Sequence, residues 1–173
     1  VEELNPAKIL KFLNKGKKDM EEIENQFRPA TYEEFIPLMQ KAIKHEYDEY
    51  RKHVPQDRVQ EMVDNEPDEL WNFEGQESFV TEDGKSIIVT VPNGDGSTYL
   101  YSVYVDAEQR NKGIGTALIN FALKRYPKGI SLHVHNKDIN AHRLYARLGF
   151  KPYGMGNCNT VFMASKKGLG GNE

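Results

Sequence analysis

At 173 residues, with 38% hydrophobic and 28% charged positions, the chain can bury one sizeable core and falls short of two comfortable domains. A formal net charge of −3 leaves no excess of positive charge for a nucleic-acid backbone, and no apolar run approaches the roughly 20 residues of a membrane helix. The single cysteine, Cys158, excludes an internal disulfide, and the acidic start Val1-Glu2-Glu3-Leu4 has no signal-peptide apolar core, so a cytoplasmic protein is expected.

Residues 6–24 read as a helical appendage in which Ile9, Leu10, Phe12 and Leu13 recur at helical spacing until Gly16 interrupts them. The expected division is a helical extension over 1–24, one domain over 25–166 and a flexible polar tail over 167–173. A first strand falls within 25–30. Thr31 then opens a helix as Thr-x-x-Glu, a capping box with Glu34, and Phe35, Leu38, Met39, Ala42 and Ile43 form its apolar stripe. A second helix is expected within 55–64, succeeded by an irregular acidic stretch over 64–76 that contains Pro67 and Gly75. The period then changes to two. Strands are expected at 77–82 and 85–92, joined through Asp83-Gly84, and at 98–105 after the turn Pro92–Ser97. A helix over 113–126 buries Ile114, Ala117, Leu118, Phe121 and Ala122 and ends at Pro127. A strand at 130–135 leads to a helix capped by Asp138, with Ala141, Leu144, Tyr145 and Leu148 on one face and a stop at Gly149. A last strand lies near 159–164. Hairpins and then β-α-β-α-β describe an α/β fold: a mixed sheet with helices on both faces.

The stretch Gln109-Arg110-Asn111-Lys112-Gly113-Ile114-Gly115-Thr116 stands between a strand and a helix. Backbone N–H groups at a helix start have no intrahelical partners, and the helix dipole adds partial positive charge there. Gly113 and Gly115 let a ligand approach the main chain, and Arg110 and Lys112 add full charges. The guest this suits is a pyrophosphate. No Lys-Ser or Lys-Thr pair comes after the glycines, so it is not a P-loop; Leu118 stands where a dinucleotide-binding fingerprint needs its third glycine.

The spacing Arg110-x-x-Gly113-x-Gly115 fits the pattern Gln/Arg-x-x-Gly-x-Gly/Ala, and here the chain resembles the GNAT superfamily of acyl-CoA-dependent N-acyltransferases. A second block, Asn140 to Phe150, is similar to that family's N-x-x-A-x-x-L-Y-x-x-L-G-F signature, one residue tighter between Asn and Ala. Together the blocks span about residues 98–165, and Arg28-Pro29-Ala30-Thr31 with the helix after it resembles the family's opening strand and helix. The resemblance implies a mostly antiparallel central sheet. It also implies acetyl-CoA as acyl donor, transferred directly to a primary amine by a monomer or homodimer without a metal. The donor would be held by Val103, Tyr104 and Val105, by Arg110, Asn111, Lys112, Gly113, Ile114, Gly115 and Thr116, and by Asn140. Tyr145 matches the family's general-acid tyrosine.

Acyl transfer needs the thioester in line with a neutral nitrogen, and a proton for the departing thiolate. A phenol such as Tyr145 is protonated at neutral pH and can supply it, and its place on an apolar stripe also suits a core aromatic. Asn140 suits either the pantetheine arm or the cap of its own helix. Many relatives carry a Glu four residues ahead of the valine matched by Val105; here that position is Tyr101, so no strand carboxylate is available as base. Glu46, Asp48, Glu49, His133 or water are the replacements. The run Glu46-Tyr47-Asp48-Glu49-Tyr50 suits steering of a cationic amine as well as a solvated helix face. His133-x-His135 puts two imidazoles on one strand face, but no third metal ligand stands at a convincing spacing. Three readings stand: an acetyltransferase, a non-catalytic acyl-CoA-binding module, and an unrelated nucleotide-binding domain.

Overall fold

The computed structural model describes residues 27–169, together with Ala7, Leu10, Lys11, Asn14 and Lys15. Those five are helical; the rest of the expected N-terminal extension, residues 25 and 26, and residues 170–173 lie outside the described residues.

Strand β1 (Phe27–Pro29) leads into α1 (Tyr32–Tyr50), whose start is held by the expected capping box. Thr31 Oγ1 accepts from the Glu34 N–H at 3.3 Å, and the Glu34 carboxylate accepts from the Thr31 N–H at 3.2 Å. Helix α2 spans Gln56–Trp71, well beyond the expected end at 64. Its apolar stripe explains this: Val59, Val63, Pro67 and Leu70 keep helical spacing through the proline. Pro67 has no N–H for the Val63 carbonyl, and the Gln40 side-chain amide of α1 donates to that carbonyl instead, at 3.3 Å. The irregular stretch is therefore only the loop after Trp71.

Strands β2 (Glu77–Thr81), β3 (Ser86–Pro92) and β4 (Thr98–Val105) come next as antiparallel neighbours. A short 3₁₀ turn, Ala107–Gln109, precedes α3 (Ile114–Arg125). Then come β5 (Ile130–His135), α4 (Ile139–Arg147), β6 (Lys151–Met155) and β7 (Thr160–Ala164). The sheet order is β1-β2-β3-β4-β5-β7-β6, parallel only between β4 and β5. Strand β6, exposed along its length, is an edge strand that carries no separate signal in the sequence.

The alternation of β3 divides the core. Ile87 and Val89 face α1 and α2, packing with Phe35, Leu38, Met39 and Leu70. Ile88 faces the other way, with Leu118, Ile119 and Ala122 of α3 and with Leu132 and Val134 of β5. Phe121, expected inside, is half-buried and lies edge-on to Phe27 and Phe79. Helix α4 buries no residue fully; Ala141, Tyr145 and Leu148 rest on the α3-side core.

Two irregularities in this sheet open the molecule beside β4. Val89 pairs with Ser102 and Thr90 with Leu100, so Tyr101 is an extra, bulged residue on β4. Strand β5 pairs with β4 only at Thr98–Ile130 and Tyr99–Ser131. Beyond Tyr99 the two strands part, and among the described residues the β5-facing edge of β4 has no strand to bond.

Candidate active site

A cavity of about 1060 Å³ opens where β4 and β5 separate. One wall is the end of β4, the loop after it, the start of α3 and the adjoining face of α4. Asp106 turns the chain by accepting from the Glu108 N–H at 3.1 Å. Arg110 then folds back: its Nε donates to the Val105 carbonyl at 3.1 Å and its guanidinium lies over the Tyr104 ring, 5.9 Å from the centroid. Asn111 and Gly113 both have positive φ, 61° and 81°, which tilts successive N–H groups to one side. The first bond of α3 runs from the Ala117 N–H to the Gly113 carbonyl, so the N–H groups of Ile114, Gly115 and Thr116 have no helical acceptor. Open space surrounds the position of a Cβ on Gly113; on Gly115 it would meet only Leu144 and Val105 at 3.6 and 3.8 Å.

Tyr145 of α4 also reaches the cavity, half-buried, its ring 5.6 Å from that of Phe150. Burial, with a smaller contribution from the Asp138 carboxylate, raises its phenol above the ordinary tyrosine range, so it stays protonated at neutral pH. Asp138 caps α4 by accepting from the Ala141 N–H at 3.1 Å. Asn140, already inside the first turn, is therefore not the cap and stands exposed at the cavity rim. The Tyr50 phenol, at the end of α1, is pushed up to about 12 by burial first and then by the charge of Asp138, and its ring stacks on buried His135 at 5.3 Å.

The facing wall consists of side chains. Tyr99 and His133 meet across the top of the seam, hydroxyl to Nδ1, at 2.9 Å. Burial lowers the His133 pKa, which favours the neutral imidazole. Gly156 allows this ring its place, because a Cβ there would come within 2.5 Å of it. Tyr101 points into the cavity, its phenol pushed up to about 12 by burial first and then by the charge of Glu66. Glu46 is paired with Arg51 at 3.3 Å, and Arg51 covers the Tyr47 ring. Glu49 lines the cavity, whereas Asp48 does not; it pairs with Lys44 one turn back on α1. Lys112 likewise lies outside the lining, exposed at the loop tip, while Val103, Tyr104, Val105, Arg110, Asn111, Gly113, Ile114, Gly115, Thr116 and Asn140 all contribute to it.

Glu66 is a site residue that the sequence pattern does not single out. It reaches the cavity from the part of α2 expected to be irregular, and burial raises its carboxyl above the usual range. The signal that marks it is the stripe through Val63, Pro67 and Leu70, which keeps residue 66 on a helix. Among the described residues no group of three His, Cys, Asp or Glu side chains is placed to hold a metal ion.

Residues 39–150 match the family model described as the acetyltransferase (GNAT) family. No curated protein matches the chain significantly. Among solved structures, the fold is similar to that of the PaiA N-acetyltransferase of Thermoplasma acidophilum, crystallised in complex with coenzyme A. The two share 18% identity over 81% of this chain and 97% of that one, with a TM-score of 0.63. It is similar also to an acetyltransferase of the GNAT family from Staphylococcus aureus Mu50, at 19% identity over 81% and 98% of the two chains and a TM-score of 0.59.

Proposed function

The chain belongs to the acetyltransferase (GNAT) family, and on that premise we propose that it moves an acetyl group from acetyl-CoA directly to a primary amine. The observation that carries this reading is the opened β4–β5 seam leading to the unbonded N–H groups of α3. The pyrophosphate of the donor suits the amides of Gly113 to Thr116, reinforced by the helix dipole and Arg110. The pantetheine amides suit the strand-free edge of β4 at Val103 to Val105, bonding as an added strand does, with Asn140 at the rim; among the described residues only the Val105 carbonyl on that edge is already engaged, by Arg110. The thioester then points toward the bulge at Tyr101. Lys112 serves the phosphates only through long-range charge.

The step itself is a displacement. The amine nitrogen forms a bond to the acetyl carbon, the C–S bond breaks, and the thiolate leaves. Tyr145 is the proton donor in this reading. Its raised pKa makes it a weak acid but a reliably protonated one, suited to hydrogen-bonding the thiolate as charge grows there. The acceptor is a cationic small molecule or a lysine side chain, drawn by the carboxylates of the opposite wall, in a cytoplasmic monomer or homodimer. Calorimetry with acetyl-CoA, CoA, ATP and NAD tests the donor, and thiol release over a panel of amines tests turnover. Binding of acetyl-CoA with no thiol release from any amine would favour the second reading, an acyl-CoA-binding module, for which Tyr101 in place of a strand carboxylate is the supporting feature.

A further inference from the structure

Among the described residues, two carboxylates on the acceptor side of the cavity have no cation beside them, Glu49 and Glu66, and of these Glu49 is open to solvent whereas Glu66 is half-buried. Glu46 has Arg51 and Asp48 has Lys44. Among the described residues, no cation and no hydrogen-bond donor meets the Glu66 carboxylate. Yet it is half-buried in the cavity that Tyr47 of α1 and Tyr101 of β4 also line, close enough for its charge to act on both phenols. A carboxylate withdrawn from water without a partner is costly unless a ligand supplies the positive charge. Those two phenols offer ring faces and hydroxyls to the same cavity, which suit an alkylammonium. The bulge that carries Tyr101 is also where the acetyl group would sit.

We propose that Glu66 binds the ammonium of the acceptor between Tyr47 and Tyr101 and takes its proton before attack. This rests on the acetyltransferase reading and assigns the base that β4 lacks. An alkylammonium loses one proton to Glu66, and the freed lone pair forms the C–N bond. The C–S bond breaks, the second nitrogen proton leaves as the thiolate gains one to become thiol, and Glu66 returns its proton to water. The charges facing Glu66 are few: Glu69 on its own helix, Tyr47 with the Glu46–Arg51 pair from α1, and Tyr101 from β4. Glu69 is the one that raises its carboxyl further after burial, which brings the base nearer to the operating pH.

The test uses the whole chain, acetyl-CoA and a panel of amines. n-Butylamine, putrescine and Nα-acetyl-lysine are charged at neutral pH; aniline and hydroxylamine are not. Glu66→Gln keeps the shape and removes the charge. Its kcat/KM toward the best charged amine should fall by roughly 10²-fold, with the acidic limb of the pH profile lost. Activity on the uncharged amines should fall far less than on the charged ones, the acetyl-CoA Kd should hold, and Glu66→Asp should recover part of the loss. Equal losses on charged and uncharged amines would make Glu66 a structural residue and overturn the inference, as would an unaltered charged-amine rate. Wild-type protein that binds acetyl-CoA but releases no thiol with any amine would instead overturn the acetyltransferase reading, and this one with it.

Discussion

On the α3 side, the cavity presents mainly main chain: the β5-facing edge of β4, a loop with two left-handed turns, and three N–H groups with no helical acceptor. On the side of α1 and α2 it presents side chains, among them Tyr47, Tyr50, Glu46 and Glu66. In the proposed function the first wall meets what every copy of one donor shares, a pyrophosphate and two amides, and main-chain groups could do so with almost any side chains around them. The second wall has no such constant guest. Its chemistry resides in individual residues brought from separate elements, so it can change its acceptor without disturbing the donor. Removing parts of each wall therefore has separable consequences.

The largest effect belongs where the walls meet. Tyr145→Phe keeps the ring against Phe150 and removes only the hydroxyl. Thiol-release rates should fall by about 10²–10⁴-fold while the acetyl-CoA Kd, read by calorimetry, holds. Full turnover with a lowered Tm would make the tyrosine structural.

Next come the glycines of the main-chain wall. Gly115→Ala meets only ordinary contacts in the protein, so any weakening of CoA binding reports the ligand's own approach. A tenfold rise in Kd, about 1.4 kcal/mol, is expected. Gly113→Val should cost at least as much, because φ 81° strains a branched residue as well. Unchanged CoA binding in both, with the fold intact, would remove the loop from the site.

Smaller effects come from the supports of the side-chain wall. Arg28 donates to both Glu34 oxygens, at 2.8 and 2.7 Å, and holds that carboxyl at about 2, well below its ordinary value. A depressed carboxyl pKa stabilises the folded state above the unfolded value, and the gain is lost as pH falls from about 4.5 through about 2. Glu34→Gln keeps an acceptor for the capping box and removes the charge, so it should lower stability by about 1 kcal/mol at pH 7 for this partly exposed pair. The gap in Tm between variant and wild type should close toward pH 2; a constant gap would deny the ion pair its role. Gln40→Ala, which strips the donor from the Val63 carbonyl beside Pro67, should cost about 0.5–1 kcal/mol in a urea titration. It should raise the acceptor KM more than the donor Kd, since α2 carries Glu66.

The same division explains which parts of the molecule are legible in the chain. The main-chain wall is built by consecutive residues, so its pattern from Arg110 to Thr116 is visible as a string, and so is the cap at Asp138. The capping box of Thr31 and the hairpin at Asp83-Gly84 are equally local. Glu66 is hidden because a proline resembles a helix stop, and the amide that rescues α2 comes from Gln40, 23 residues before the Val63 carbonyl it bonds. The meeting of Tyr99 with His133, and the bulge at Tyr101, depend on register between strands, which no single segment encodes. Asp48 and Glu49 are neighbours in sequence, yet the helix turns one outward to Lys44 and the other to the cavity.

The parting of β4 from β5 after two residue pairs also makes the sheet two plates on a short hinge, Thr98–Tyr99 against Ile130–Ser131. An acyl donor lying in the gap would stitch those plates together, and the free energy of binding would then count toward folding. At a donor concentration of 100 Kd the gain is about 2.7 kcal/mol, larger than the contribution of the Arg28–Glu34 pair. The persistence of this protein in a cell would accordingly rise and fall with the pool of the CoA carrier, acylated or free, because both forms share the pyrophosphate and the two amides.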